Sequence, residues 1–306
     1  MKDPAELYEV VGDLASVPRG LDLIVGMTGF ADAGAAVAQM SEFLLEELDS
    51  DELAEFVNDE LLDYRSRRPI MLFERTHLAE YRPPRLVLHV MADEVGTPFL
   101  FLAGYEPDMQ WDRFSAAVLD LVEELGVART TWVHAIPMPT PHTRPIAMTV
   151  SGNRDELIES MSVWRPETEF PSTAMHLIEY RLTALEHPTA GFVLLVPHYL
   201  GDTTYPTVAV AALEALTSAT GLVFPTDRLR EEGREFLGKI EEQVQSNAEL
   251  QRLVEHLESR HDSYINENPL PSQLIESDGT IPTADQIADE LQKFLANRRE
   301  DTDLDS

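Results

Sequence analysis

The chain has 306 residues, 43% of them apolar. That is enough to bury a sizeable core in one large α/β domain with appendages or two smaller ones, and too apolar for a disordered chain. Lys and Arg number 23 against 55 Asp and Glu, a formal net charge of -32 that opposes binding to a phosphate backbone or an anionic membrane surface. The absence of cysteine excludes disulfides, thiolate catalysis and Cys-ligated metal.

Met1-Lys2-Asp3-Pro4-Ala5-Glu6 carries acids where a signal peptide needs a basic flank and an apolar run, and no apolar stretch approaches the length of a membrane span. A cytoplasmic location is expected. The first clear element is Leu21 to Met27, apolar and β-branched, which predicts a buried strand. Ala33, Ala36, Val37, Met40, Phe43, Leu44 and Leu48 then recur at helical spacing and predict a helix. Asp49 to Glu60 is charged and predicts a short helix and a turn. Strands are expected at Ile70 to Phe73, Leu86 to Met91 and Pro98 to Leu102, the last two as an antiparallel hairpin.

A helix from Trp111 to Leu125 turns Phe114, Val118, Leu121 and Val122 inward and stops at Gly126. Thr130 to Ile136 and Ile146 to Val150 predict strands, Ser172 caps a helix to Leu185, and Phe192 to Val196 predicts another strand. Thr207 to Thr220 is a helix closed by Gly221, and its small residues Ala209, Ala211, Ala212 and Ala215 favour close packing and tight association. Strands alternating with helices predict an α/β fold: a mixed, largely parallel sheet with helices on both faces. From Asp227 the texture becomes charged and helical, with a break at Ser246-Asn247. A Pro-containing loop over Asn266 to Asp278, a last helix capped by Thr283 and a disordered acidic tail follow. The expected organisation is an α/β core over 1–226, a C-terminal helical region over 227–299 and the tail over 300–306.

Four segments could carry chemistry. Gly26 to Gly34 is a glycine-rich strand-to-helix turn, the kind that offers backbone N–H groups to an anion. Its spacing fits neither the dinucleotide fingerprint nor the phosphate loop. Gly29 and Asp32 are its candidates, although Asp32 can satisfy those N–H groups itself, and the glycines equally suit close helix–sheet packing. Gly104 to Arg113 follows a strand. There Glu106 and Asp108 could form a carboxylate pair with Arg113 as its balance, or act as loop and capping acids. His134 to Pro145 holds four prolines, each fixing φ, so His142 and Arg144 sit on a stiff loop. Those types suit acid/base work or anion binding, while a structural loop with Arg144 paired to an acid explains them equally. Val196 to Pro206 adds His198. No serine has a nucleophile-elbow setting and no His pair has helical metal spacing, so neither metal nor cofactor is expected.

The glycine turn, Gly104-Tyr105-Glu106-Pro107-Asp108 with Trp111, Pro139-Thr140-Pro141-His142-Thr143-Arg144-Pro145 and Val196-Pro197-His198-Tyr199 occur in this order. As an ordered set over almost the whole chain they resemble the actinobacterial branch of the proteasome assembly chaperone 2 family. The resemblance implies a phosphorylase/hydrolase-like α/β core, an added helical region and a homotrimer. It also implies a non-enzymatic assembly-chaperone or scaffold role with proteasome-related partners, and it supplies no catalytic residues. The other expectation is an enzyme or sensor acting on a small anionic metabolite in a cleft at the sheet edge, with the glycine turn, Glu106, His142, Arg144 and His198 as its site.

Overall fold

The computed structural model describes residues 3–268. The expected helix capped by Thr283, the tail, and the loop from residue 269 onward lie outside them.

The chain opens with a short edge strand, β1 (Tyr8–Val10), and then the apolar run folds as β2 (Asp22–Thr28). Strict alternation decides which side each β2 residue faces. Leu23 and Val25 join one core with Leu88, Leu100 and Leu102, while Ile24 joins the opposite core with Phe99 and Phe101. Helix α1 (Ala36–Glu47) covers the second face through Met40, Phe43 and Leu44.

The charged segment after α1 departs from the expected helix. It forms β3 (Ser50–Phe56) followed by the one-turn α2 (Asn58–Leu61). Pairing overrides propensity here. β3 lies antiparallel between β1 and β6 (Leu86–Ala92), burying Leu53, Ala54 and Phe56, and its exposed Glu52 and half-buried Glu55 both grip Arg85 at 2.7 Å. The ribbon of β4 (Ile70–Glu74) and β5 (His77–Arg82) pairs with no other strand among the described residues. β6 (Leu86–Ala92) and β7 (Pro98–Tyr105) form the expected hairpin. Asp93 stabilises its turn by accepting from the Val95, Thr97 and Val223 N–H groups.

Helix α3 (Trp111–Leu125) ends at Gly126, whose φ of 61° is the left-handed cap conformation. β8 (Arg129–Met138), β9 (Ala147–Gly152) and the short helix α4 (Asp155–Met161) come next. α5 (Ala174–Ala184) is capped by Thr173 and not by Ser172, in a capping box that His176 closes. Then follow β10 (Thr189–Pro197), α6 (Pro206–Thr220), α7 (Asp227–Ser246) and α8 (Ala248–Glu267), with Asn247 capping the break between the last two.

Eight strands form one mixed sheet in the order β1-β3-β6-β7-β2-β8-β10-β9. The four central strands β7, β2, β8 and β10 are parallel, and antiparallel strands flank them on both sides. Helices α3 and α5 cover one face, and α1 and α6 the other. The C-terminal helical region docks on that second side through Leu229 of α7. The small residues of α6 do not form an outer surface. Ala209, Ala212 and Ala215 are fully buried and Ala211 is buried, so close packing inside the chain consumes the face that the sequence offered for association.

Candidate functional site

The carboxyl ends of the central parallel strands gather most of the nominated side chains, as expected of an open α/β sheet. Gly29 follows β2, and a Cβ there would overlap the Glu106 carboxylate, so this glycine permits a close approach. Glu106 itself is 6% exposed. One of its oxygens accepts from the Ala174 N–H at 2.7 Å, the first residue of α5, and the other from the Phe30 N–H at 3.2 Å. It therefore ties the glycine turn to a helix N-terminus, where negative charge is favourable. Asp32 does the same for α1, accepting from Val37 N–H at 2.8 Å and Ala38 N–H at 3.0 Å. Burial pushes its carboxyl up despite the lowering by those N–H groups.

The expected Glu106–Asp108 pair with Arg113 as its balance takes another form. Asp108 accepts from the Asp63 N–H at 2.9 Å and faces Arg67 at 3.5 Å. Arg113 is buried and turns toward the N-terminus. It donates to the Asp3 carbonyl at 2.9 Å and pairs with Glu6 at 3.1 Å and Glu60 at 3.2 Å. Loop backbone donors supply each acid with its own partner, which removes the reason for the two to share one.

His142, Arg144 and His198 form a separate group on the side of α8. The Tyr199 hydroxyl accepts from the His142 backbone N–H at 2.9 Å and lies 2.7 Å from its Nδ1. His142 Nε2 is buried without a hydrogen-bond partner among the described residues, and burial lowers the ring's pKa. Arg144 forks onto Asp262 at 2.7 and 2.9 Å and reaches Glu258 at 3.1 Å. Its hydrogen bonds hold the Asp262 carboxyl down at about 2. His198 is exposed and meets the edge of the Tyr199 ring at 5.5 Å.

A buried polar cluster beside Glu106 was not nominated from the sequence. Trp132 and His134 alternate onto one face of β8, and His176 and Glu179 lie three apart on α5. The Trp132 indole donates to Glu179 at 2.5 Å, and Ser151 donates to the same oxygen at 2.9 Å. Burial raises the Glu179 carboxyl against those bonds. His134 is pushed down to about 4 by burial, with His176 nearby adding to the effect, and burial lowers His176 as well. These spacings were the available signal. Gly29, Phe30, Glu106, Trp132, His134 and Thr173 enclose a cavity of about 10 Å³, room for about one water. Its one hydroxyl–imidazole contact, Thr173 Oγ1 to His176 Nδ1 at 2.8 Å, belongs to the capping box of α5. Among the described residues no group of three or more His, Asp or Glu has metal-holding geometry.

Residues 26–244 match the model of the PAC2 family. A crystal structure of a Mycobacterium tuberculosis protein of unknown function is 41% identical and superposes with a TM-score of 0.79, covering 85% of this chain and 90% of that one. A Corynebacterium glutamicum protein of unknown function is 35% identical with a TM-score of 0.80, covering 85% and 98%. A Mycobacterium tuberculosis proteasome-assembly chaperone homologue shares the fold at 20% identity and a TM-score of 0.70, covering 76% and 100%. No curated protein matches.

Proposed function

The chain belongs to the PAC2 family, and from that premise we propose that it is a non-enzymatic, assembly-chaperone-like scaffold that works in the cytoplasm as a homotrimer and engages proteasome-related proteins. The observation that carries this reading is the β4–β5 ribbon. Ile70, Met71, Leu72, Phe73, Leu78 and Tyr81 are all exposed on it, Ile70 by 66% and Phe73 by 65%. An isolated two-stranded ribbon is marginal in water and gains stability when covered, and exposed apolar patches mark protein contacts. Within Ile70 to Arg82 the two acids Glu74 and Glu80 are matched by Arg75 and Arg82. The ribbon is thus locally neutral on a strongly acidic chain, where repulsion between copies is weakest.

The nominated polar residues support the same reading, because Asp32, Glu106, Asp108, Arg113 and Arg144 all serve turns, caps and helix docking. The name of the chaperone homologue that shares the fold motivates the choice of partner. The test is co-sedimentation of the purified full-length chain with purified proteasome core subunits from the same cell. A discrete complex that dissociates in salt-independent fashion when Phe73 and Leu78 are both changed to Ser is expected. Subunits that sediment without the chain at micromolar concentrations contradict the choice of partner.

A further inference from the structure

Between the carboxyl end of β8 and helix α8 lies a cavity of about 320 Å³. That size falls at the small end of ligand sites, about 300–1,000 Å³. The sheet edge forms its floor: Met138 of β8, Ala147 of the edge strand β9 and Leu195 of β10. Trp164, beyond α4, and Tyr264 and Ile265 of α8 form its walls. The Tyr264 hydroxyl donates to the Val163 carbonyl at 3.1 Å, which braces the two walls against each other.

Two donors at this cavity have no partner among the described residues. One is the Trp164 indole N–H and the other is the guanidinium of Arg260. Acids outnumber cations more than two to one in this chain, yet no acid among the described residues pairs with Arg260. The explanation is local. Glu258 and Asp262, its neighbours on α8, are both held by Arg144. Thr140 and His261 also line the cavity, and its other walls are mainly apolar and aromatic beside a guanidinium with no acid among the described residues, whose planar fork matches a carboxylate.

We propose that this pocket binds a small aromatic monocarboxylate, with its ring against Trp164 and Tyr264 and its carboxylate on Arg260. The site lies apart from the residues assigned above to turns and caps, and it does not depend on the protein contacts of the β4–β5 ribbon.

Calorimetric titration of the full chain with naphthalene-2-carboxylate and with its neutral counterpart 2-naphthamide tests it. One carboxylate per chain is expected, bound about tenfold or more tighter than the amide, since a charge-assisted fork is lost in the neutral probe. Arg260 is exposed, so Arg260→Gln keeps the fold and erases that preference. Trp164→Ala weakens both probes, and Arg252→Gln, a cation removed elsewhere on α8, changes neither. No saturable binding of the carboxylate up to millimolar concentration, equal affinity for both probes, or a preference that survives Arg260→Gln would overturn the proposal.

Discussion

At the scale of single residues, the nominated carboxylates Asp32, Glu106 and Asp108 act on backbone donors. Glu106 shows what that implies. Replaced by Gln, it keeps one acceptor but turns an NH₂ group toward a buried N–H, either that of Ala174 or that of Phe30. Glu106→Gln should lower the unfolding free energy by about 1–3 kcal/mol, the usual cost of an unsatisfied buried group. Denaturant titration measures it, and an unchanged midpoint would contradict the tether. His134 gives a pH dependence. Its folded pKa of about 4 lies below the unfolded value of 6.5. The imidazole is therefore neutral in the native state, and as pH falls the unfolded chain takes the proton first. Stability is fully present above pH 6.5 and is lost as pH falls toward 4, by about 3 kcal/mol for this one group. Asp32 and Glu179, whose pKa values are raised, act in the opposite sense, so the comparison must be made between variants. His134→Phe should flatten the decline of stability between pH 6.5 and 4. Parallel curves for wild type and variant would contradict the assignment.

At the scale of elements, α8 depends on the Pro-rich loop. Arg144 and Thr143 both reach it, the first through Asp262 and Glu258 and the second through Glu258 at 2.5 Å. Few of its residues are buried, Val254 and Leu257 among them, so polar contacts carry much of the docking. Arg144→Ala should raise amide hydrogen exchange across Ala248–Glu267 while protection in β2 and β8 stays unchanged. Equal protection of α8 in both chains would show that the arginine does not anchor it. The ends of α3, the closing Gly221 of α6 and the break at Asn247 were legible in the sequence, because caps and helical periodicity are local codes. β3 was not, because its identity comes from partners that lie distant in the chain: β6 on one side and β1 on the other. The same limit applied to the site. Gly29 and Glu106 were nominated separately and the fold joins them. Glu106 and Asp108 were nominated together and the fold sends them to different donors. Arg113 was matched to the acids nearest in sequence, whereas its partners Glu6 and Glu60 come from other elements.

At the scale of the whole molecule, a charge of -32 sets the terms of association. It opposes contact with a phosphate backbone, whose binding rests on cationic contacts. It also opposes contact between copies everywhere except where charge is locally balanced and apolar surface is exposed, as on the β4–β5 ribbon. Phe73 and Leu78 pair across that ribbon and are exposed by 65% and 61%, so replacing both with Ser leaves the core untouched and removes much of the apolar patch. The account stands most directly on the light-scattering mass of the full-length chain at micromolar concentration, measured for the wild type and for Phe73→Ser/Leu78→Ser. It predicts three times the 34.3 kDa of one chain for the wild type and a fall toward a single chain for the double variant. A wild type that reads 34.3 kDa, or two proteins of equal mass, would contradict it.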